Sequence, residues 1–326
     1  MHRRTLLAAL TLPVLGGRAL AQTSPTWPQR APIRFVAGFP AGGLADVIAR
    51  LVAQPIGEAL GTTLVVENRT GASGTIGADA VAKAPADGYT LAVSHAIPFG
   101  FAPGVLPSVP YDPVADFTHL GMLAEAPTVM VVRAASPLAS MTQALDTAKR
   151  TTVTFGSSGV GSAEHILGAV VARAAGATNL THVPYRGTPP ALQDLLSGQI
   201  DILNAPITTL VPMLRDGTLR LLVTSTARRL PAFPNAPTMA ELGYPQATMT
   251  QWIGVSAPRG LPAPIAARIT AVLPTVLALP QVKTRLEELA SSPRTPTPMG
   301  ADFTSFVAAF RDNWVARAKE NNIVAS

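Results

Sequence analysis

At 326 residues the chain is long enough for two domains with sizeable cores, and with 48% hydrophobic against 13% charged residues it is too apolar for a disordered or highly solvated protein. It contains no cysteine, which excludes disulfides, structural thiolate metal sites and cysteine nucleophiles together. The formal charge of +6 falls to +3, from 22 basic and 19 acidic residues, once the arginines of residues 1–21 are set aside; no basic run interleaved with aromatics remains, so no nucleic-acid partner is expected.

Residues 1–21 read as an export signal: the basic pair Arg3-Arg4, an apolar core from Leu6 to Leu15, and Ala19-Leu20-Ala21 as the cleavage site. The arginine pair leaves the twin-arginine route open beside the general one. A periplasmic protein is expected. Residues 264–279 come closest to a later membrane span, but Arg268 and Pro274 interrupt them.

After a proline-rich leader, strand and helix patterns alternate: strand 33–38, helix 43–60, strand 63–67, helix 75–84, strand 89–94. Residues 95–118, with five prolines and little periodicity, predict an irregular surface excursion. Apolar strand material at 122–132 opens a second series: helix 139–149, strand 152–156, helix 162–175, strand 180–183, helix 189–197, strand 199–203, helix 207–216 and strand 219–224. A proline-rich stretch, a strand at 252–256 and helices at 264–278, 280–290 and 301–319 finish the chain. The pattern predicts an α/β fold with a mixed, mostly parallel sheet in each of two lobes. The last strand and helices lack a sheet of their own and so return to the first lobe. Domain 1 is therefore 22–124 with 250–326, domain 2 is 125–249, and the ligand cleft lies between them.

The strand at 33–38 runs into the turn Phe39-Pro40-Ala41-Gly42-Gly43 and a helix start, where unpartnered amides and the helix dipole favour an anion. Gly38 and Gly43 have P-loop spacing, but Leu44 and Ala45 stand where a lysine and a hydroxyl are required. The same glycines also suit a plain tight turn with Asp46 as a first-turn acid. The second Gly/Ser turn, Phe155 to Ser162, opens a helix containing His165. Glu164 breaks the dinucleotide pattern there, and Val160 breaks the nucleophile elbow around Ser158. Serines in such turns commonly cap helices, and a lone histidine on an apolar helix commonly packs. His95, His119 and His182 are scattered without ligand spacing, so no metal site is expected. The loop Val183 to Gly187 adds a third helix start, where Arg186 suits a carboxylate or an outward ion pair, and Asn204-Ala205-Pro206 a fourth.

At these residues the chain resembles the Bug family of extracytoplasmic solute-binding receptors of tripartite tricarboxylate transporters. The matching pieces include FVAGFPAGGLADVIARL (35–51), VVENRTGASGTIGADAVAKAPADGYTL (65–91), FGSSGVGSAEH (155–165), HVPYRGTPPALQDLLSGQID (182–201) and WIGVSAPRGLP (252–262). The resemblance implies a type II periplasmic-binding-protein fold. It also implies a ligand carboxylate held by backbone amides, hydroxyls and ordered waters of Ala41 to Gly43 with Asp46, and of Ser157 to Ser162. The candidate ligand-binding set is Phe39, Ala41, Gly42, Gly43, Asp46, Ser94, Ser157, Ser158, Gly159, Gly161, Ser162, His165, Arg186 and Ala205.

This chain departs from the family pattern at Ala41 in the first turn, in an apolar wall from His95 to Phe99, and in the Asn-Ala-Pro form at 204–206. Together these point to a small organic carboxylate without an α-amino group. The expected protein is a monomeric receptor without cofactor, delivering its ligand to membrane permease subunits. A sensor feeding a signalling partner is the alternative, and a secreted serine hydrolase built on Ser158 or Ser162 with His165 is a third reading.

Overall fold

The computed structural model describes residues 27–320; the export-signal expectation for residues 1–21 lies outside them. The chain runs β1 (Ile33–Ala37), α1 (Leu44–Leu60), β2 (Leu64–Asn68), α2 (Thr75–Ala82), β3 (Thr90–His95), α3 (Ala102–Val105) and β4 (Phe117–Arg133). It continues α4 (Met141–Ala148), β5 (Val153–Ser157), α5 (Ala163–Ala175), β6 (Leu180–Pro184), α6 (Thr188–Ser197), β7 (Ile202–Pro206), α7 (Val211–Arg215) and β8 (Leu219–Thr224). The last elements are β9 (Thr250–Pro258), α8 (Ala263–Ala278), α9 (Pro280–Glu288) and α10 (Gly300–Glu320). Among the described residues no single helix is long and apolar enough to cross a membrane.

The strands form one curled sheet in the order β2-β1-β3-β9-β4-β7-β5-β6, with β8 also on β4. It is evenly mixed. Four of the eight strand pairings among the described residues are parallel, and the four antiparallel ones all involve β4 or β9. The strand–helix alternation marks the parallel pairs but not these two connecting strands, so the sheet is less parallel than the alternation predicts. β4 changes partner midway: from Phe117 to Pro127 it pairs with β9, and from Thr128 onward with β7 and β8. Its residues 123–132 are nearly all buried, which a strand covered on both faces requires.

β1 sits between β2 and β3, its Ile33, Phe35, Val36 and Ala37 in the core. α1 packs Ile48, Ala49, Val52 and Ile56 against the sheet and ends on Gly61, whose φ of 73° only glycine adopts without strain. Over residues 95–105 the structure corrects the expected surface excursion, whereas 106–116 are irregular and lie largely at the surface as expected. Ile97, Phe99 and Phe101 lie at most 1% exposed in a π-helical turn (Ile97–Phe101). Phe99 meets Phe117 at 4.7 Å and Trp252 at 6.3 Å between ring centroids, and Phe101 meets Trp314 at 4.5 Å. A segment buried all round has no amphipathic period to detect.

Candidate functional site

Four turns at the ends of β1, β2, β5 and β6 converge on one cavity of about 290 Å³. From one half of the sheet come Gly38 and Phe39, then Gly71 to Gly74, with Leu106 after α3. From the other half come Ser158 to Val160 and Pro184 to Arg186. Of the expected set, Phe39, Ser158, Gly159 and Arg186 line this cavity.

The first turn is internally satisfied. The Gly43 amide donates to the Pro40 carbonyl at 3.1 Å and the Gly42 amide to Asp46 Oδ2 at 2.9 Å. Asp46 Oδ1 accepts from Arg50 Nε and Asn68 Nδ2, both at 2.9 Å. Burial works to raise the pKa of this carboxyl, but the Arg50 guanidinium and the Gly42 and Asn68 amides together hold it below the usual range. The expected open amides at Gly42 and Gly43, and a ligand-facing Asp46, are therefore replaced by a closed turn; Ala41 and Gly42 are exposed outside the cavity. Gly38 is needed for packing: a Cβ there would lie 2.7 Å from the Gly74 carbonyl oxygen.

The turn Gly71-Ala72-Ser73-Gly74 lies within the 65–91 match but is not among the expected ligand-binding residues. All four residues have positive φ (130°, 45°, 54° and 84°), a costly conformation for Ala72 and Ser73. The Ser73 hydroxyl donates across the cavity to the Val160 carbonyl. Two glycines around small residues directly after a strand, as in the other turns, are the cue that marks it.

The second Gly/Ser turn is also knitted to itself. Ser157 is fully buried, its hydroxyl 2.6 Å from His182 Nε2 and accepting from the Gly159 amide at 3.1 Å. Gly161 donates its amide to His165 Nδ1 at 3.2 Å, and Ser162 caps α5 by accepting from the His165 amide at 3.1 Å. The His165 and His182 rings stack at 4.2 Å. Burial, reinforced by the neighbouring His165, pushes the His182 imidazole down to about 3, and burial lowers His165. Ser157, Gly161, Ser162 and His165 thus build the wall from behind instead of lining it.

Two more of the expected residues lie away from this cavity: Ser94 is fully buried in β3 and Ala205 in β7. The apolar wall from His95 to Phe99 faces the core and backs two cavity residues: the His95 ring lies 4.8 Å from that of Phe39, and a Cβ on Gly74 would lie 3.4 Å from Pro98 Cγ.

Glu164, which in sequence only breaks a dinucleotide pattern, is 0% exposed in the first turn of α5. Its Oε2 accepts from the Ser158 hydroxyl at 2.9 Å, and its Oε1 from Gln251 Nε2 at 2.7 Å. Gln251, on β9, also reaches Thr128 on β4 at 3.1 Å. Arg186 is exposed, and among the described residues it joins no ion pair. The neighbouring Tyr185 hydroxyl donates to Asp194 at 2.7 Å, and burial followed by that carboxylate pushes it up to about 12.

A cavity walled by strand-end turns from two halves of one sheet, joined through β4 and β9, defines a solute-binding protein of the α/β class. The model of the tripartite tricarboxylate transporter family receptor matches residues 48–312, and the chain belongs to that family. It is similar to Protein BugT of Bordetella pertussis, 34% identical over an alignment of 327 positions that covers 98% of each chain. Among solved structures it is similar to MatC of Rhodopseudomonas palustris with bound malate, at 32% identity and a TM-score of 0.83, covering 88% of this chain and 99% of that one. A second R. palustris protein, solved with adipate, matches at 31% identity and a TM-score of 0.84 over 91% of this chain and 98% of that one.

The chain is a binding protein and not an enzyme, and the hydrolase reading fails on geometry as well. The Ser158 proton goes to Glu164, Ser162 accepts a helix amide, and His165 Nδ1 is taken by the Gly161 amide.

Proposed function

We propose that this chain is a periplasmic receptor that captures a small carboxylate between two lobes and delivers it to the permease subunits of a tripartite tricarboxylate-type transporter. The observation that carries this reading is the cavity itself, which takes its walls from both halves and so changes shape whenever the halves move. Malate and adipate in the similar structures support a carboxylate ligand. The lobes are 22–124 with 250–326, and 125–249; residues 1–21 are removed on export, and the receptor acts as a monomer.

A thermal-shift screen over several hundred carboxylates, followed by small-angle scattering with each hit, tests the proposal. A tight ligand should raise the melting temperature and hold the scattering envelope compact. A screen in which no carboxylate raises the melting temperature overturns it. Pull-down from membranes distinguishes the delivery role, which captures permease subunits, from a sensor role, which captures a signalling protein.

A further inference from the structure

We infer that Ala290 to Ser292, at the end of α9, form a third link between the lobes beside β4 and β9, a latch that holds the cavity closed and strengthens ligand binding without touching the ligand. The inference rests on the two-lobe receptor reading above and adds what sets its closure. Neither these residues nor their partner Thr208 line the cavity.

The link starts on β4. Glu125 and Ser292 exchange two backbone hydrogen bonds, at 2.8 and 3.2 Å, within the part of β4 that pairs with β9. Arg294 adds an ion pair to the Glu125 carboxylate at 3.0 Å. One residue earlier, Ser291 Oγ lies 2.6 Å from Thr208 Oγ1. Thr208 comes two residues after Pro206, the end of β7, which pairs with Thr128 in the other part of β4. The bond therefore spans the place where β4 passes from one lobe to the other. Both residues are buried, Ser291 4% and Thr208 2% exposed. A hinge motion at Pro127 and Thr128 carries Thr208 away from Ser291 and takes a partner from each hydroxyl.

Ala290 makes the second contact. α9 ends in a Schellman cap, in which the Ser291 amide donates to the Leu286 carbonyl at 2.9 Å and the Ala290 amide to the Glu287 carbonyl at 3.0 Å. The residue between them in this motif is left-handed; at φ 50° glycine is free of strain and alanine is not. The methyl group that causes the strain packs against an apolar cluster whose buried members, from Val129 to Leu230, all belong to the second lobe. A helix cap of the first lobe thus carries a strained side chain that serves the other lobe. Both contacts exist with the halves closed on the cavity. A ligand that needs both walls binds only this arrangement, so its affinity follows the closed fraction.

Titration calorimetry on the mature protein tests the latch, with malate, adipate and the tightest carboxylate of the screen above as probes. Ala290→Gly removes the methyl and relieves the strain. The melting temperature of the ligand-free variant should hold or rise, while affinity should fall about threefold. A residue that only caps a helix would leave affinity unchanged. Thr208→Val and Ser291→Ala should each weaken binding about fivefold, and the double variant no more than either, because both act through one bond. Wild-type affinity in Ala290→Gly and in Thr208→Val overturns the inference alone, as does a double variant whose loss is the product of the single losses. Failure of every carboxylate to bind the wild-type protein overturns the receptor reading, and the inference with it.

Discussion

The Ser73 hydroxyl donates to the Val160 carbonyl from the opposite wall of the cavity, joining a turn after β2 to the turn after β5. Around this bond the two halves touch at other points. A Cβ on Gly187 would lie 2.7 Å from Pro40 Cδ, and one on Gly161 would lie 3.5 Å from the Ala102 Cα. The cavity is therefore bounded by direct contacts between the halves, and the left-handed backbone of Ser73 (φ 54°) is strain held in place by one of them.

Ser73→Ala keeps that strained backbone and removes the bond. The expected cost is about 1 kcal/mol of stability, together with a larger radius of gyration for the ligand-free protein by small-angle scattering. An unchanged radius would show that the apolar contacts around Pro40 and Gly187 suffice to hold the halves together.

Gly38→Ala tests the junction of two cavity turns. Its new Cβ would meet Gly74 O at 2.7 Å and Gly74 Cα at 2.9 Å, both backbone atoms that no side-chain rotation can clear. Calorimetric unfolding should show a loss of about 2 kcal/mol, with weakened carboxylate binding because both turns line the cavity. Wild-type affinity in this variant would remove the Gly38–Gly74 contact from the determinants of the site.

Arg186→Gln separates binding from folding. The side chain is exposed and joins no ion pair among the described residues, so stability should change by less than about 0.5 kcal/mol. Affinity for a diacid should fall about tenfold by calorimetry, reflecting a lost charge-assisted contact. Equal affinity would place the carboxylate elsewhere in the cavity.

Acid should destabilise the protein through its buried imidazoles. Burial holds His95 at about 3 and, against the opposing effect of its hydrogen bond to the Pro113 carbonyl, His119 at about 4; His182 lies at about 3. The unfolded chain takes up these protons near the ordinary value of 6.5 while the folded chain resists them. Stability is therefore complete above that pH and is lost as pH falls toward 4. Melting temperatures between pH 7.5 and 4.5 should fall steadily. A flat profile would mean that the imidazoles are not held neutral.

Most of the architecture is legible because each element carries a period and a stop. α1 begins after Gly43 and ends at Gly61 within one residue of expectation, and the Gly/Ser turns announce the strand ends that form the cavity. Four features are not legible, for three distinct reasons. Residues 97–101 are buried on every side and show no alternation. β4 spans Phe117–Arg133, not the expected 122–132, because its two ends serve different partners and neither pattern covers the whole strand. Glu164 in sequence is an ordinary first-turn acid; only its distance to Ser158 and Gln251, residues 6 and 87 positions away, gives it a different meaning. The same reason hides Ser73, whose partner is 87 positions distant.

The shared strand β4 has a consequence for engineering. Since residues up to Pro127 pair with β9 and those from Thr128 pair with β7 and β8, each half depends on a segment continuous with the other. Chimaeras that graft ligand preference from one receptor onto another should be cut within β4 and β9, at Pro127/Thr128 and ahead of Thr250, so that the transplanted insert keeps its own ladder partners. A crossover at a loop such as 134–140 would leave half of a strand facing a foreign neighbour, and such a hybrid should aggregate rather than fold.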